Sequence, residues 1–249
     1  MVDLKTLVDY CGHRLDADAF EDYCPNGLQV QGRDEVAHLV TGVTASLALV
    51  QAAVQAGADA LLVHHGYFWK NEPAPIVGMK GERIRLLLQH QVSLLAYHLP
   101  LDAHTELGNN IRLGELIGCR SCAPVGAGGL LWGGELQAPA SASELAHGLG
   151  QTLDREPLLV AGGEHPVRRL AWCTGGAQGM IEQAADLGFD AYVTGEVSES
   201  TVHVARERGI HFYAAGHHAT ERYGVQALGE ELAARFDLQH HFIDIPNPV

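Results

Sequence analysis

The sequence predicts an α/β protein built from two pseudo-repeated α/β lobes with mixed sheets. Two observations carry this expectation. Short apolar runs alternate along the chain with stretches of helical periodicity and glycine-marked turns. The same rhythm then occurs twice. Ala56-Gly57-Ala58-Asp59-Ala60-Leu61-Leu62-Val63 matches Leu187-Gly188-Phe189-Asp190-Ala191-Tyr192-Val193-Thr194, each after a strand, a glycine-containing turn and a helix. The next strand of each half ends in His-x3-acid, His98 with Asp102 and His217 with Glu221. Duplicated lobes of this kind are expected to present their strand ends to one cleft, where α/β folds gather ligands.

The elements follow in order. Residues 3–14 read as an amphipathic helix, and Pro25-Asn26-Gly27 has turn chemistry before a short extended piece. Leu39 to Thr44 reads as a strand, with Ser46 as the N-cap of a helix ending near Gly57. Ala58 to Val63 is the next strand and delivers His64-His65. A helix within 78–91 and a strand over 92–97 lead to His98. Asn109 opens a helix that stops at Gly118.

Residues 119–131 contain Cys119-Arg120-Ser121-Cys122 and Gly126-Ala127-Gly128-Gly129, and are expected to be a linker. A strand (about 132–138), a helix (about 143–153) and an extended segment (about 156–161) come next. Strands over 167–174, 190–194 and 210–215 then alternate with helices ending at Gly188 and Gly209. A long helix to about Phe236 and a closing strand over 238–245 complete the chain. The expected partition is a first lobe at 1–123, an inserted segment at 124–165 and a second lobe at 166–249, together one structural unit.

Composition limits what such a fold does. With 16 Lys and Arg against 30 Asp and Glu, the formal charge is −14. Non-specific nucleic-acid affinity comes from cations neutralising phosphates, so nucleic acid is not an expected partner. A nucleotide substrate remains compatible, because bound cations offset the repulsion. Five cysteines, an odd number in a long chain, argue against a disulfide framework and for a reducing, cytoplasmic setting. The N-terminal segment is an acidic amphipathic helix rather than a signal peptide, and no apolar run reaches membrane-spanning length.

Histidine is abundant, 15 in all, and three doublets stand out: His64-His65, His217-His218 and His240-His241. Two adjacent histidines at the end of an apolar strand require metal or an extensive hydrogen-bond network. Imidazole and carboxylate together suit Zn, Mn, Fe, Co or Ni. His64, His65, Asp102, His217 and Glu221 therefore form the candidate ligand set for two divalent ions, with open positions of the kind a catalytic site keeps. Glu196 follows a strand at the place where the repeat puts His65. It reads as a general base, as a residue orienting a ligand, or as an acid at a helix start. His98 reads as a ligand, as a residue behind the ligands, or as a hydrogen-bonded strand-end histidine.

Other motifs weigh less. Cys119-x-x-Cys122 lacks a second pair for zinc. Gly175-Gly176-Ala177-Gln178-Gly179 lies between a strand and a helix, so it reads as a tight packing turn or as a phosphate contact. His240-His241 has no acid at useful spacing and is expected to be structural or at an interface. Tyr67, Phe68 and Trp69 read as a packed loop or a surface for stacking a base.

Several segments together resemble one known family, the dinuclear-metal, toroidal proteins called Nif3-like or GTP cyclohydrolase I type 2 homologues. They are Pro25-Asn26-Gly27-Leu28-Gln29-Val30, Thr41-Gly42-Val43-Thr44-Ala45-Ser46, His64-His65-Gly66, His98-Leu99-Pro100-Leu101-Asp102, Thr194-Gly195-Glu196 and Gly216-His217-His218-Ala219-Thr220-Glu221. The resemblance covers nearly the whole chain and is to the short bacterial form. It implies ligands at His64, His65, Asp102, His217 and Glu221, choosing His217 over His218. It also implies a homohexameric ring with metal sites facing an internal cavity.

The expected function is a dinuclear-metal-dependent hydrolase of a nucleotide or purine-like small molecule, with GTP cyclohydrolase-type ring opening by metal-bound hydroxide as its specific version. The alternatives are a binuclear phosphoesterase and a non-enzymatic metal-binding or adaptor hexamer.

Overall fold

Side-chain caps set several helix starts in this chain. Asp3 Oδ1 accepts from Thr6 N at 3.0 Å and opens the Leu4–Arg14 helix. Ser46 Oγ accepts from Leu49 N at 3.2 Å and opens Leu47–Gln55, as expected. Ser141 and Glu144 exchange hydrogen bonds in a capping box at the start of Ala142–Leu153.

The computed structural model describes residues 1–126 and 128–249; Ala127, in the expected linker, lies outside the described residues. The chain forms two compact units, the first Met1–Leu101 with Gly224–Ile245, the second Asp102–Tyr223 with Pro246–Val249.

The first unit holds a five-stranded sheet in the order Gln239–Phe242, His38–Thr44, Ala60–His65, Ser93–Ala96, Gly27–Val30. Its first three pairings are parallel and the last is antiparallel. One sheet face, with Val40, Leu61, Val63 and Leu94, packs in a buried cluster with Leu49, Val50 and Ala53 of the Ser46-capped helix and Ile84 and Leu87 of Gly78–Gln89. Gly229, in the helix Arg222–Phe236, lies so near the His240 ring that a Cβ there would sit 2.3 Å from Nε2.

The second unit holds a six-stranded sheet in the order Cys119–Pro124, Trp132–Ala140, Val167–Trp172, Ala191–Thr194, His211–Ala214, Leu158–Val160. Both faces of its central strands are covered, so Ala191–Thr194 and His211–Ala214 are buried along their whole length. Leu170, Trp172, Val193 and Tyr213 join one buried cluster, and Ala171, Tyr192 and Phe212 join another.

The two sheets share a four-strand motif that runs deeper than the sequence match. In each, three parallel strands are followed by one antiparallel edge strand. Asp59 Oδ2 accepts from Ala37 N at 2.8 Å and His38 N at 2.9 Å. Its counterpart Asp190 Oδ2 accepts from Arg168 N and Arg169 N, both at 2.8 Å. Each aspartate thus clamps the start of the preceding strand and fixes its register.

The edge strands match as well. Val30-Gln31-Gly32 answers to Val160-Ala161-Gly162. A Cβ on Gly32 would lie 2.3 Å from Gln91 O, and one on Gly162 would lie 2.5 Å from Ile210 O. Gly32 N donates to Ser93 Oγ at 2.9 Å, and Gly162 N to His211 Nδ1 at 3.2 Å. Only glycine allows this backbone contact.

Three sequence expectations change. Residues 119–124 are a strand, paired antiparallel with Trp132–Ala140, rather than the start of a linker. Its main-chain pairing tolerates the polar, glycine-flanked sequence because it is the sheet's edge. The packing units also cut the chain elsewhere than at 123 and 165. Leu158–Val160 completes the second sheet, and Gln239–Phe242 pairs with His38–Thr44 in the first. Finally, the long helix after Gly216 is broken: a turn at His217–Thr220 precedes Arg222–Phe236, and Glu221 sits in the break.

His240 and His241 are structural, as expected. His240 Nε2 pairs with Thr41 Oγ1 at 2.9 Å and His241 Nδ1 with His38 Nε2 at 2.9 Å. Among the described residues, no helix is long and apolar enough to cross a membrane.

The clamp predicts that Asp59→Ala lowers stability by about 2–3 kcal/mol, because two backbone N–H groups and Arg33 lose their acceptor. Asp190→Ala acts in the same direction. Urea unfolding of both variants measures this, and unchanged midpoints would show that the clamp does not hold register.

Candidate metal centre

The candidate donors follow the ends of parallel strands, directly or within the short helix or turn that comes next. In the first, the strand Ala60–His65 runs through Leu61, Leu62 and Val63, all fully buried, and ends in the histidine pair. His64 is itself fully buried, and its Nδ1 donates to Tyr97 O at 2.9 Å. That bond leaves Nε2 as the nitrogen with a coordinating lone pair. His65 Nδ1 pairs with Thr44 Oγ1 at 3.1 Å on the adjacent strand.

His98 follows the next strand. Its ring centroid lies 5.1 Å from that of His64 and 5.6 Å from that of His65. One ring nitrogen from each of the three falls within a span of 4.8 Å. Trp69 stands edge-on to His98 with centroids 5.0 Å apart, so it is wall to this cluster. Tyr67 is buried and its hydroxyl donates to Ala45 O, so it is packing rather than a stacking surface.

Asp22 anchors His98. Its Oδ1 accepts from His98 Nδ1 at 2.7 Å, and its Oδ2 accepts from Leu99 N and Asn26 Nδ2, both at 2.9 Å. Burial pushes this carboxyl up, but the bonds from His98 and Asn26 outweigh it and bring Asp22 down to about 2. The sequence reading missed Asp22, which is 76 residues from its partner. The turn chemistry of Pro25-Asn26-Gly27 was its one visible neighbour.

In the second unit Asp102 and Glu221 are both buried, with carboxylate oxygens within 4.8 Å of each other. Two buried carboxylates so close repel unless positive charge or hydrogen bonds compensate. Asp102 Oδ1 accepts from Asn109 Nδ2 at 2.8 Å and Thr174 Oγ1 at 3.2 Å. Asn110 backs this arrangement: its Nδ2 donates to Asp102 O, and its Oδ1 accepts from Thr174 N. The Asn109-Asn110 doublet at a helix start was the signal in the sequence.

His217 lies between two acids. Its Nδ1 bonds Glu196 Oε1 at 2.6 Å, and its Nε2 lies 3.2 Å from Glu221 Oε2. Burial disfavours the imidazolium, but Glu221 and then Glu196 outweigh it and raise His217 from 6.5 to about 9. Glu196 thus holds one nitrogen of the His217 ring. His218 is buried, and its backbone N donates to Val249 O.

The glycine turn is a packing device. Gly175 has φ +69°, and a Cβ there would lie 2.1 Å from Glu221 Oε1. Gly175 N donates to Thr220 Oγ1 and Ala177 N to Thr194 Oγ1, so two of the amides that would cradle a phosphate are already engaged. Cys119 and Cys122 belong to the edge strand, where burial pushes the Cys119 thiol up to about 12, away from metal-binding thiolate. All five cysteines are free.

Imidazoles with Nδ1 engaged, together with buried carboxylates, are a donor set for divalent transition metals. A family model described as Duf34/NIF3 (NGG1p interacting factor 3) matches residues 2–248. The chain belongs to the DUF34/NIF3 family. A Pseudomonas aeruginosa relative named GTP cyclohydrolase 1 type 2 homolog is 57% identical over 248 residues, 98% of each chain. The Escherichia coli K12 relative of the same name is 53% identical, covering 99% of this chain and 98% of its own. Among solved structures, protein ybgI, described as of unknown function, superposes with a TM-score of 0.97 at 51% identity over the whole of both chains. A Thermus thermophilus protein gives 0.92 at 36% identity, again over the whole of both. These matches bear out the resemblance and the α/β fold of the DUF34/NIF3 family.

The raised His217 sets a pH dependence for metal-free protein. A group whose folded pKa lies above its unfolded one stabilises fully below the unfolded value, near 6.5, and loses that contribution as pH rises through about 9. Stability should therefore decline across this window, and Glu196→Gln should flatten the decline. Thermal unfolding from pH 6 to 10 measures it; equal slopes in both proteins would contradict the assignment.

Proposed function

We propose that the protein is a dinuclear-metal-dependent hydrolase of a nucleotide or purine-like small molecule. The observation that carries this reading is the donor chemistry: buried His64 with its Nδ1 locked, His65 beside it, and the buried pair Asp102 and Glu221 with His217. These five residues are the proposed ligands. Two divalent ions held by them would supply Lewis-acid polarisation of the substrate and lower the pKa of bound water. Nitrogen and oxygen donors accommodate Zn, Fe, Mn, Ni and Co, and affinity order competes with metal availability, so donor type alone does not choose among them.

The chain's own residues do the positioning. Tyr97 O and Thr44 Oγ1 hold the rings of His64 and His65. Asn109 and Thr174 hold Asp102, and Glu196 holds His217. Such outer contacts keep ligands in the geometry that a reacting centre needs. The relatives' name, GTP cyclohydrolase 1 type 2 homolog, supports a purine nucleotide as substrate and hydrolytic ring opening as the reaction. Bound cations would offset the repulsion between the net charge of −14 and a phosphorylated substrate.

We further propose a homohexamer in the cytoplasm, which rests on the family resemblance and on the reduced cysteines. Light scattering would then give about 160 kDa for six 26.7 kDa chains; a stable monomer or dimer contradicts it.

Protein purified metal-free and reloaded should bind two equivalents by elemental analysis and turn over at least one member of a panel of GTP, other nucleotides and phosphoesters. Glu221→Gln should abolish turnover and at least half of the metal. Stoichiometric metal with no turnover across the panel would replace the hydrolase by a metal-binding or adaptor role. Turnover of phosphoesters alone would make it a phosphoesterase.

A further inference from the structure

Serine and histidine stand at equivalent places in the two repeated motifs, and only one of them titrates. Ser93 and His211 each open the third parallel strand of their motif, and both are fully buried. Each donates its backbone N–H to the carbonyl of the clamping aspartate, Ser93 to Asp59 O and His211 to Asp190 O, both at 3.0 Å. Each side chain then accepts from the edge-strand glycine: Ser93 Oγ from Gly32 N at 2.9 Å, His211 Nδ1 from Gly162 N at 3.2 Å. A hydroxyl keeps its lone pairs in mild acid. An imidazole nitrogen accepts only while it carries no proton.

The partners of His211 fix its tautomer. Gly162 N–H can only donate, so Nδ1 holds the lone pair. A carbonyl can only accept, so Nε2 carries the proton and donates it to His165 O at 2.9 Å. A second proton, on Nδ1, would set two donors against each other and place a charge in a fully buried ring. The ring of His165 stacks on it, with centroids 4.2 Å and planes 27° apart, and two charged rings in that stack repel. His165 Nε2 lies 3.4 Å from Asp190 O, to which it can donate in either charge state. Asp190 Oδ2 is taken by Arg168 N and Arg169 N. The other charged groups of the flanking segments are exposed: Glu164 in the loop, the Arg168 and Arg169 side chains, and Glu207 and Arg208 at the end of the preceding helix. Among the described residues, the hydrogen bonds of both rings run to main chain and none to a carboxylate.

We propose that the Gly162–His211 contact is an acid-sensitive latch: protonation of His211 releases the loop 161–166 and the edge strand Leu158–Val160 from the second sheet, while the Gly32–Ser93 contact of the first sheet stays closed. Leu158–Val160 is three residues long and pairs with His211–Ala214, so it is the element of this sheet that leaves first when its anchor fails. Its departure uncovers the main-chain edge of His211–Ala214, a template for pairing with another strand. The latch is full at neutral pH and lost as pH falls, because the closed form excludes the proton that the open form takes up. It does not depend on the metal-centre reading, since neither ring belongs to that donor set.

The test is amide hydrogen exchange of the full-length protein from pH 8 to pH 5, corrected for intrinsic exchange and compared at Gly162 and Gly32. Protection at Gly162 should fall by at least about 10-fold, because an opening that takes up one proton gains up to about tenfold per pH unit. Protection at Gly32 should hold. His211→Gln keeps an acceptor and a donor in the same place but takes up no proton, so its Gly162 should stay protected at pH 5. His211→Ser copies the residue of the first sheet and should likewise lose the pH dependence, whatever its overall stability. The wild-type comparison of the two glycines stands even where a variant does not fold. Protection at Gly162 that is flat in pH would overturn the proposal. So would an equal loss at both glycines, or a loss that persists in His211→Gln.

Discussion

The clamp that Asp59 and Asp190 place on the preceding strand is the constraint on which each half depends. Each carboxylate takes two consecutive backbone N–H groups at a strand start and so fixes which residues of the parallel strands lie side by side. A shift of one residue would turn every side chain to the opposite face of the sheet. The positions of His64, His65 and Glu196 are consequences of that register, because each lies a fixed number of residues beyond its clamp.

From there the polar residues act in layers. Backbone carbonyl, hydroxyl and carboxylate groups take the inner nitrogens of the histidines, and amide and hydroxyl donors take the inner oxygens of Asp102. Buried polar groups left unsatisfied are costly, so these partners are structural requirements first. They also determine which atom of each side chain is left to do chemistry. Gly175 serves the same end by omission: its missing side chain leaves the space that Glu221 Oε1 takes.

Much of this was legible in the sequence wherever the signal was local. An apolar run ending in His64-His65, a Ser46 cap and a Gly-x-Asp-Ala repeat are each contained within a few residues. What escaped depends on contacts across distance. Asp22 meets His98 across 76 residues, and no pattern around Asp22 announces it. The edge strand Cys119–Pro124 is held by main-chain bonds that any side chains permit, so its polar sequence read as a linker. The second repeat begins earlier than its sequence shows, because Val160-Ala161-Gly162 corresponds to Val30-Gln31-Gly32 through backbone geometry rather than through a long match.

The equivalence of His65 and Glu196 has a consequence for what one chain carrying the motif twice can do. Both sit six residues after their clamping aspartate, yet one is a base and the other an acid. An assembly of two identical half-length chains has to offer the same residue twice at positions related by symmetry. Joining the copies in one chain removes that obligation and lets each position diverge alone. The His-x3-acid pairs show the same freedom: in strand register His98 and Asp102 stand one residue earlier than His217 and Glu221. A chain that carries the motif twice is free to place different chemistry at equivalent positions of its two copies.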